Sequence, residues 1–268
     1  MTASAVSRWL LLAGTVSCAV SQQQEVQLGA DYATQIAKEL PMVRDAQVNR
    51  YITSLGNTLV RATDNRGLTW HFAVVDSREV NAFAVPGGWI YVNRGLIERA
   101  QNMSQVAGVL GHEIGHVTRR HTVQQMQQAQ GANAGVVLLC TLTKACESGA
   151  GQAAIGVGGS AIFAKFSRSD EREADAEGVK TTVNAGIDPN GIPGMFQLLL
   201  NERGRNPNAL DAFFATHPLA EDRIKESQAL IAAYPASQLR GLRKDTPEFQ
   251  AFRRRLLALP APPPPRKS

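Results

Sequence analysis

Nothing in this sequence lines up basic residues with aromatic ones, and that absence sets nucleic acid aside as a partner. Aromatics make up 6% of the 268 residues, the formal charge is +5, and the basic residues are scattered except for Arg253-Arg254-Arg255 and Arg266-Lys267. The balance reads as a solvated surface, or as a face turned toward an anionic membrane. Cysteine is scarce too: Cys18, Cys140 and Cys146 are the three in the chain. The last two either close a short disulfide or sit as small buried hydrophobes, and both readings stand. With no histidine nearby they do not form a zinc clip. No internal repeat is visible. Past the N-terminus no stretch is long and apolar enough to span a bilayer, so no integral membrane domain is expected.

The first residues have the layout of a secretory signal. Arg8 precedes an apolar run from Trp9 to Val20, and polar Ser21-Gln22-Gln23-Gln24-Glu25 follows at once. Two processing readings compete. Ala19-Val20-Ser21 offers small residues for ordinary cleavage, giving a signal over residues 1–21. Alternatively Thr15-Val16-Ser17-Cys18 is a weak lipobox, with Cys18 carrying lipid. Either way the expected location is the periplasm, with a lipid anchor to the outer membrane as the second option.

Apolar residues from Glu25 to Ala62 recur at helical spacing and Pro41 splits them into two helices. A strand is expected over Thr69 to Val75, then two more hinged at Pro86-Gly87-Gly88. Proline confines such a hairpin to a sheet margin. The first of its strands, Asn81-Ala82-Phe83-Ala84, could bind an extended peptide by strand addition, or be a structural hairpin only. Ser104 is the expected N-cap of the next helix, which is read as running on into the Gln-rich stretch from Val123 to Gln130. Gly/Ala-rich residues from Ala132 to Phe163 read as two packed or mobile helices. A charged helix then ends at Asn184-Ala185-Gly186, another spans Pro189 to Glu202, and Pro218 is expected at the first position of a helix from Leu219 to Ala233. Residues 241–268 read as a loose helical finish and a Pro-rich tail.

Histidine is the other rarity, and its placement is informative. Of five in the chain, His112, His116 and His121 fall in one stretch, Val106 to His121, which contains His112-Glu113-Ile-Gly-His116. Residues four apart lie one above the other on a helix, so His112 and His116 can address one metal ion with Glu113 beside it. A catalytic zinc takes three protein ligands. His121 is misplaced for the pattern with a third histidine six residues on, so a Glu from a second helix is required. Glu171 with Asp175 has the right spacing for a ligand and an acceptor for the outer nitrogen of a ligating histidine; Glu173 with Glu177 has the same spacing. His121 and His71 read as structural.

His112-Glu-Ile-Gly-His116, Glu171-x-x-Ala174-Asp175, Asn81-Ala-Phe-Ala-x-Pro-Gly-Gly-x-Ile-Tyr and Thr216-His217-Pro218 occur together. In this order they resemble the gluzincin metallopeptidase family that includes HtpX, BepA, the mitochondrial Oma proteases and the CAAX prenyl proteases. The match runs from Glu25 to Ala233, and the exported layout resembles the periplasmic branch, without a tetratricopeptide-repeat domain. The resemblance implies an α+β, mainly helical, zincin-like domain over residues 22–240, with a small edge sheet beside the His-Glu helix. It implies one zinc held by His112, His116 and Glu171, with Glu113 as the base that activates a zinc-bound water. It favours Asp175 over the alternative pair. His217 is implied as a fourth ligand that holds the enzyme latent, or else is a structural histidine capping its loop; it and Arg223 are also the candidates for oxyanion donor, with Arg223 alternatively pairing with a carboxylate. The expected function is a zinc metalloendopeptidase acting on misfolded or misassembled cell-envelope proteins, with outer-membrane assembly machinery as a candidate partner. The alternative is a chaperone-like assembly factor with little proteolysis.

Overall fold

A computed structural model of the chain describes residues 20–129, 165–203, 210–218 and 221–263. Residues 1–19 of the expected signal segment, with Cys18, and Cys140, Cys146 and the Gly/Ala-rich helices lie outside the described residues, as does the end of the tail. Helix α1 (Gln22–Glu39) starts from a Ser21 capping box with Gln24. Helix α2 (Ala46–Val60) is capped by Asp45, whose carboxylate accepts from the amides of Gln47 and Val48. Strands β1 (His71–Val75), β2 (Ala82–Val85) and β3 (Trp89–Asn93) form a sheet in the order β1-β3-β2, with β1 parallel and β2 antiparallel to β3. The hairpin therefore lies at the margin, as its proline requires. The short helix α3 (Arg94–Arg99) follows directly.

Helix α4 (Met103–Thr118) carries the His-Glu motif and is buried at every residue from Met103 to Val117. Its N-cap is Asn102, not Ser104: the Asn102 side chain accepts from the Gln105 amide and also from the Ser104 hydroxyl. The helix does not run on. Arg120 adopts φ 61, a left-handed conformation that ends the helical path, and a second helical stretch occupies 121–129.

Across α4 lies α5 (Arg168–Asn184), the charged helix, with its own Ser167 capping box. The two approach closely because the facing residues are small. A Cβ on Gly115 would sit 3.0 Å from the Ala174 Cα, and one on Gly111 3.3 Å from the Gly178 Cα. That closeness lets short carboxylate side chains of α5 reach histidines on α4. Helix α6 (Gly191–Arg203) closes the far side. A six-residue helix that the sequence did not suggest, α7 (Asp211–Thr216), ends at His217. Pro218 is non-helical; the described part of α8 begins at Glu221 and runs to Ala232.

After a turn of helix, α9 (Ala236–Leu239), comes α10 (Pro247–Leu257). The expected loose finish is instead anchored: Phe249, Phe252 and Leu256 are buried in the main core, and the Phe252 ring stacks on Tyr51 of α2 at 4.4 Å. A smaller apolar cluster of Ile36, Val75, Phe83, Val85 and Tyr91 lies on the other face of the sheet, beneath α1.

Candidate metal centre

Four side chains from three regions converge. His112 and His116 come from α4, Glu171 from the first turn of α5, and His217 from the end of α7; one ligand atom of each lies within 4.8 Å of the others, and all four residues are buried. The Nε2 atoms of His112 and His116 are 3.0 Å apart, and His217 Nδ1 is 3.4 Å from His112 Nε2. Glu171 Oε1 is 3.0 Å from His217 Nδ1 and 3.6 Å from His116 Nε2. Imidazole nitrogens crowded this closely face one another with lone pairs, an arrangement that a cation relieves.

Glu113 sits at the rim of this cluster with both carboxylate oxygens buried and no hydrogen-bond partner within the described protein. An acceptor pair left so in a native core calls for a water or an ion. Its nearest cluster atom is His217 Nε2, at 3.6 Å. Burial pushes the Glu113 carboxyl above its ordinary range, against the pull of His217 and His112. Burial, with the neighbouring imidazoles, holds His116 well below the usual histidine value and therefore neutral, as a ligand must be.

Asp175 lies one turn along α5 from Glu171 and accepts from His112 Nδ1 at 2.9 Å. Arg223 of α8 grips Asp175 with Nε and Nη2 at 2.8 and 2.7 Å and pairs with Glu171 through Nη1. Burial alone would raise both carboxyls; Arg223 outweighs it at Asp175, and His217, His112 and Arg223 together do so at Glu171, leaving both lowered. Arg223 is thus engaged with the two carboxylates, the carboxylate-pairing alternative of its two expected roles. For His217, burial works downward but Glu171 and Glu113 outweigh it, and the net shift is upward.

The other α5 carboxylates point elsewhere. Glu173 is half-exposed beside His121, and Glu177 pairs with Arg119. Ala82, Phe83 and Ala84 lie on β2, whose outer edge carries no strand among the described residues, and the Asn81 carbonyl just before them accepts from the Asn93 amide. Ala82 and Ala84 face the core beside α4, whereas Phe83 faces α1 and stacks on Tyr91. His71 stacks on Trp89 in the sheet, away from the centre. Two residues at the site went unread in the sequence as contributors. Phe166 stacks on the His116 ring at 3.9 Å, and His121 meets His116 Nδ1 through its own Nδ1 at 3.0 Å. The only signal for His121 was its position five residues after His116.

Residues 46–231 match the family model described as Peptidase family M48. The chain belongs to that family. An M48 relative, the beta-barrel assembly-enhancing protease of Escherichia coli strain K12, is 33% identical over 76% of this chain and 43% of its own length. The beta-barrel assembly-enhancing protease of Yersinia pestis is 30% identical over 78% of this chain and 44% of the relative. The mitochondrial metalloendopeptidase OMA1 of Schizosaccharomyces pombe is 26% identical over 76% of this chain and 59% of the relative. The chain thus spans under half the length of the two bacterial relatives. An M48 fold that is mainly helical with a small three-stranded sheet agrees with the α+β zincin-like class, and the donor set is that of a metal centre.

Proposed function

We propose that this chain is a zinc metalloendopeptidase that cleaves misfolded or misassembled cell-envelope proteins. The observation that carries the reading is a buried carboxylate without a hydrogen-bond partner among the described residues, Glu113, beside a buried His112–His116–Glu171 donor set. Two imidazoles and one carboxylate are the ligand chemistry of catalytic zinc. Zinc held there supplies Lewis acidity, polarising a scissile carbonyl and acidifying a water. Glu113, its proton affinity raised by burial, accepts the proton of the attacking water and hands it to the leaving amine. Arg223 and Asp175 keep His112 oriented, and the β2 edge offers backbone groups for an extended substrate.

His217 occupies the space among the other donors and is read here as a fourth ligand that keeps the enzyme latent until its loop withdraws. The envelope as workplace rests on the signal-like N-terminus and on relatives named for assembly of beta-barrels. The site also sits in a chain in which no described helix is long and apolar enough to cross a membrane. A purely chaperone-like role leaves Glu113 without a use and is not favoured.

The test is zinc content and casein cleavage for the wild type, Glu113→Gln and His217→Ala. One zinc per chain is expected throughout, with cleavage lowered about 10²–10⁴-fold by Glu113→Gln and raised by His217→Ala. A folded protein that binds no zinc overturns the reading.

A further inference from the structure

The two histidines on α4 are held from behind in different ways. His112 donates its outer Nδ1–H to Asp175, a carboxylate locked by Arg223. His116 turns Nε2 toward the cluster, which leaves its Nδ1 as the N–H, and the atom facing that N–H is Nδ1 of His121 at 3.0 Å. We propose that His121 is the positioning residue for His116, accepting its Nδ1–H and so fixing the tautomer and ring plane that aim Nε2 into the metal centre. This rests on the metallopeptidase reading above.

Three features support the assignment. His121 is 1% exposed, so the contact is shielded from competing water. If Nδ1 accepts, the His121 proton resides on Nε2, and that atom faces Glu173 at 3.7 Å and Asp170 at 4.0 Å, too far for a hydrogen bond but of the charge that favours an N–H there. Phe166 stacks on the His116 ring at 3.9 Å, so packing and hydrogen bond together define one ring orientation.

The backbone is bent to make this contact. Five residues along a continuous α-helix, His121 would point about 140° away from His116. The left-handed Arg120, φ 61, breaks the helix one residue earlier and returns His121 to the same side. A non-glycine residue in that region carries strain that surrounding contacts must sustain. They are present: Arg120 donates to Glu25 at 2.9 Å and to the Val20 carbonyl at 2.5 Å, and Arg66 completes a bidentate grip on the same Glu25. Arg66 also donates to the Val117 carbonyl, at the end of α4.

Asn places an amide oxygen near the position of an imidazole Nδ1, whereas Gln reaches past it, so the two amides separate hydrogen bonding from bulk. The full-length protein is compared with His121→Asn, His121→Gln and His121→Leu by zinc competition against a chelator and by the visible spectrum of the cobalt-substituted forms. Supporting contacts of this kind contribute 10–100-fold to metal affinity, so Leu and Gln should weaken zinc binding about 10-fold and Asn no more than about threefold. The cobalt spectrum should shift in Leu and Gln and be retained in Asn. Wild-type affinity in Leu, or equal loss in Asn and Gln, overturns the inference; if Leu fails to fold, the Asn–Gln pair decides. A wild type that binds no zinc would fail the metallopeptidase reading itself, a result distinct from zinc binding that ignores residue 121.

Discussion

Three of the four converging donors stand on long helices, and the fourth does not. His112 and His116 occupy a sixteen-residue helix and Glu171 a seventeen-residue one, packed at glycine-to-alanine distance. His217 follows a helix of six residues and precedes a non-helical proline. Short helices owe little to their own hydrogen bonds and depend on what they pack against. One wall of the centre is therefore a pair of long helices packed on each other, while the other is a single short turn of helix set into the core through Leu210 and Phe213 and joined to the first by the Phe166 amide donating to the Thr216 carbonyl. Under the function proposed above, three donors on long helices and one on a short segment would let the site admit a peptide without losing its metal.

Breaking the rigid wall should have the largest effect. Arg223→Ala leaves Asp175 and Glu171 as buried carboxylates without their cation, and a loss of about 3–5 kcal/mol of stability is expected in chemical denaturation. A midpoint within error of wild type would show that the metal alone holds these groups. A smaller effect is expected at the far end of α4, where Glu25→Gln removes the charge that Arg66 and Arg120 share, at about 1.5–3 kcal/mol. Burial works to raise the Glu25 carboxyl, but the two arginines outweigh it and the net shift is downward. The contribution is therefore present above the unfolded-state value, near the ordinary carboxyl range, and is lost as pH falls through the lower folded value. Thermal melts of wild type and Glu25→Gln should differ at neutral pH and converge in acid. The smallest effect on stability belongs to the short-helix side: His217→Ala should leave the melting temperature of the zinc-loaded protein within a few degrees, about 1 kcal/mol, because the metal keeps its three helix-borne ligands. A collapse of the fold in that variant would erase the distinction between the walls.

The rigid wall was also the legible one. Helical spacing and His112-Glu-x-x-His116 are local patterns that survive in a linear string, whereas spacing left Glu171 with Asp175 level with Glu173 and Glu177, and the family resemblance chose between them. What escaped depends on contacts between distant segments. Asn102 and Ser104 are both capable caps, and only the turn geometry selects Asn102. Nothing near Arg120 announces a left-handed residue, because the carboxylate that sustains it is Glu25, ninety-five positions earlier. For Arg223 the sequence left two roles open, oxyanion donor or carboxylate partner, and only the packing of α8 on α5 shows which carboxylates it meets. Helix α7 has too few residues for a periodic signal to emerge, and the residues of α10 that enter the core are three among many polar neighbours.

That last helix has a consequence for how the molecule comes into being. Phe249, Phe252 and Leu256 close the core against Tyr51 of α2, a residue synthesised some two hundred positions earlier. A ribosome that has made everything up to residue 246 has produced a chain whose central packing is still open to water. The core around Tyr51 thus cannot close before residues 249–256 are available, and under the export proposed above that delay would favour passage through a translocation channel ahead of final folding.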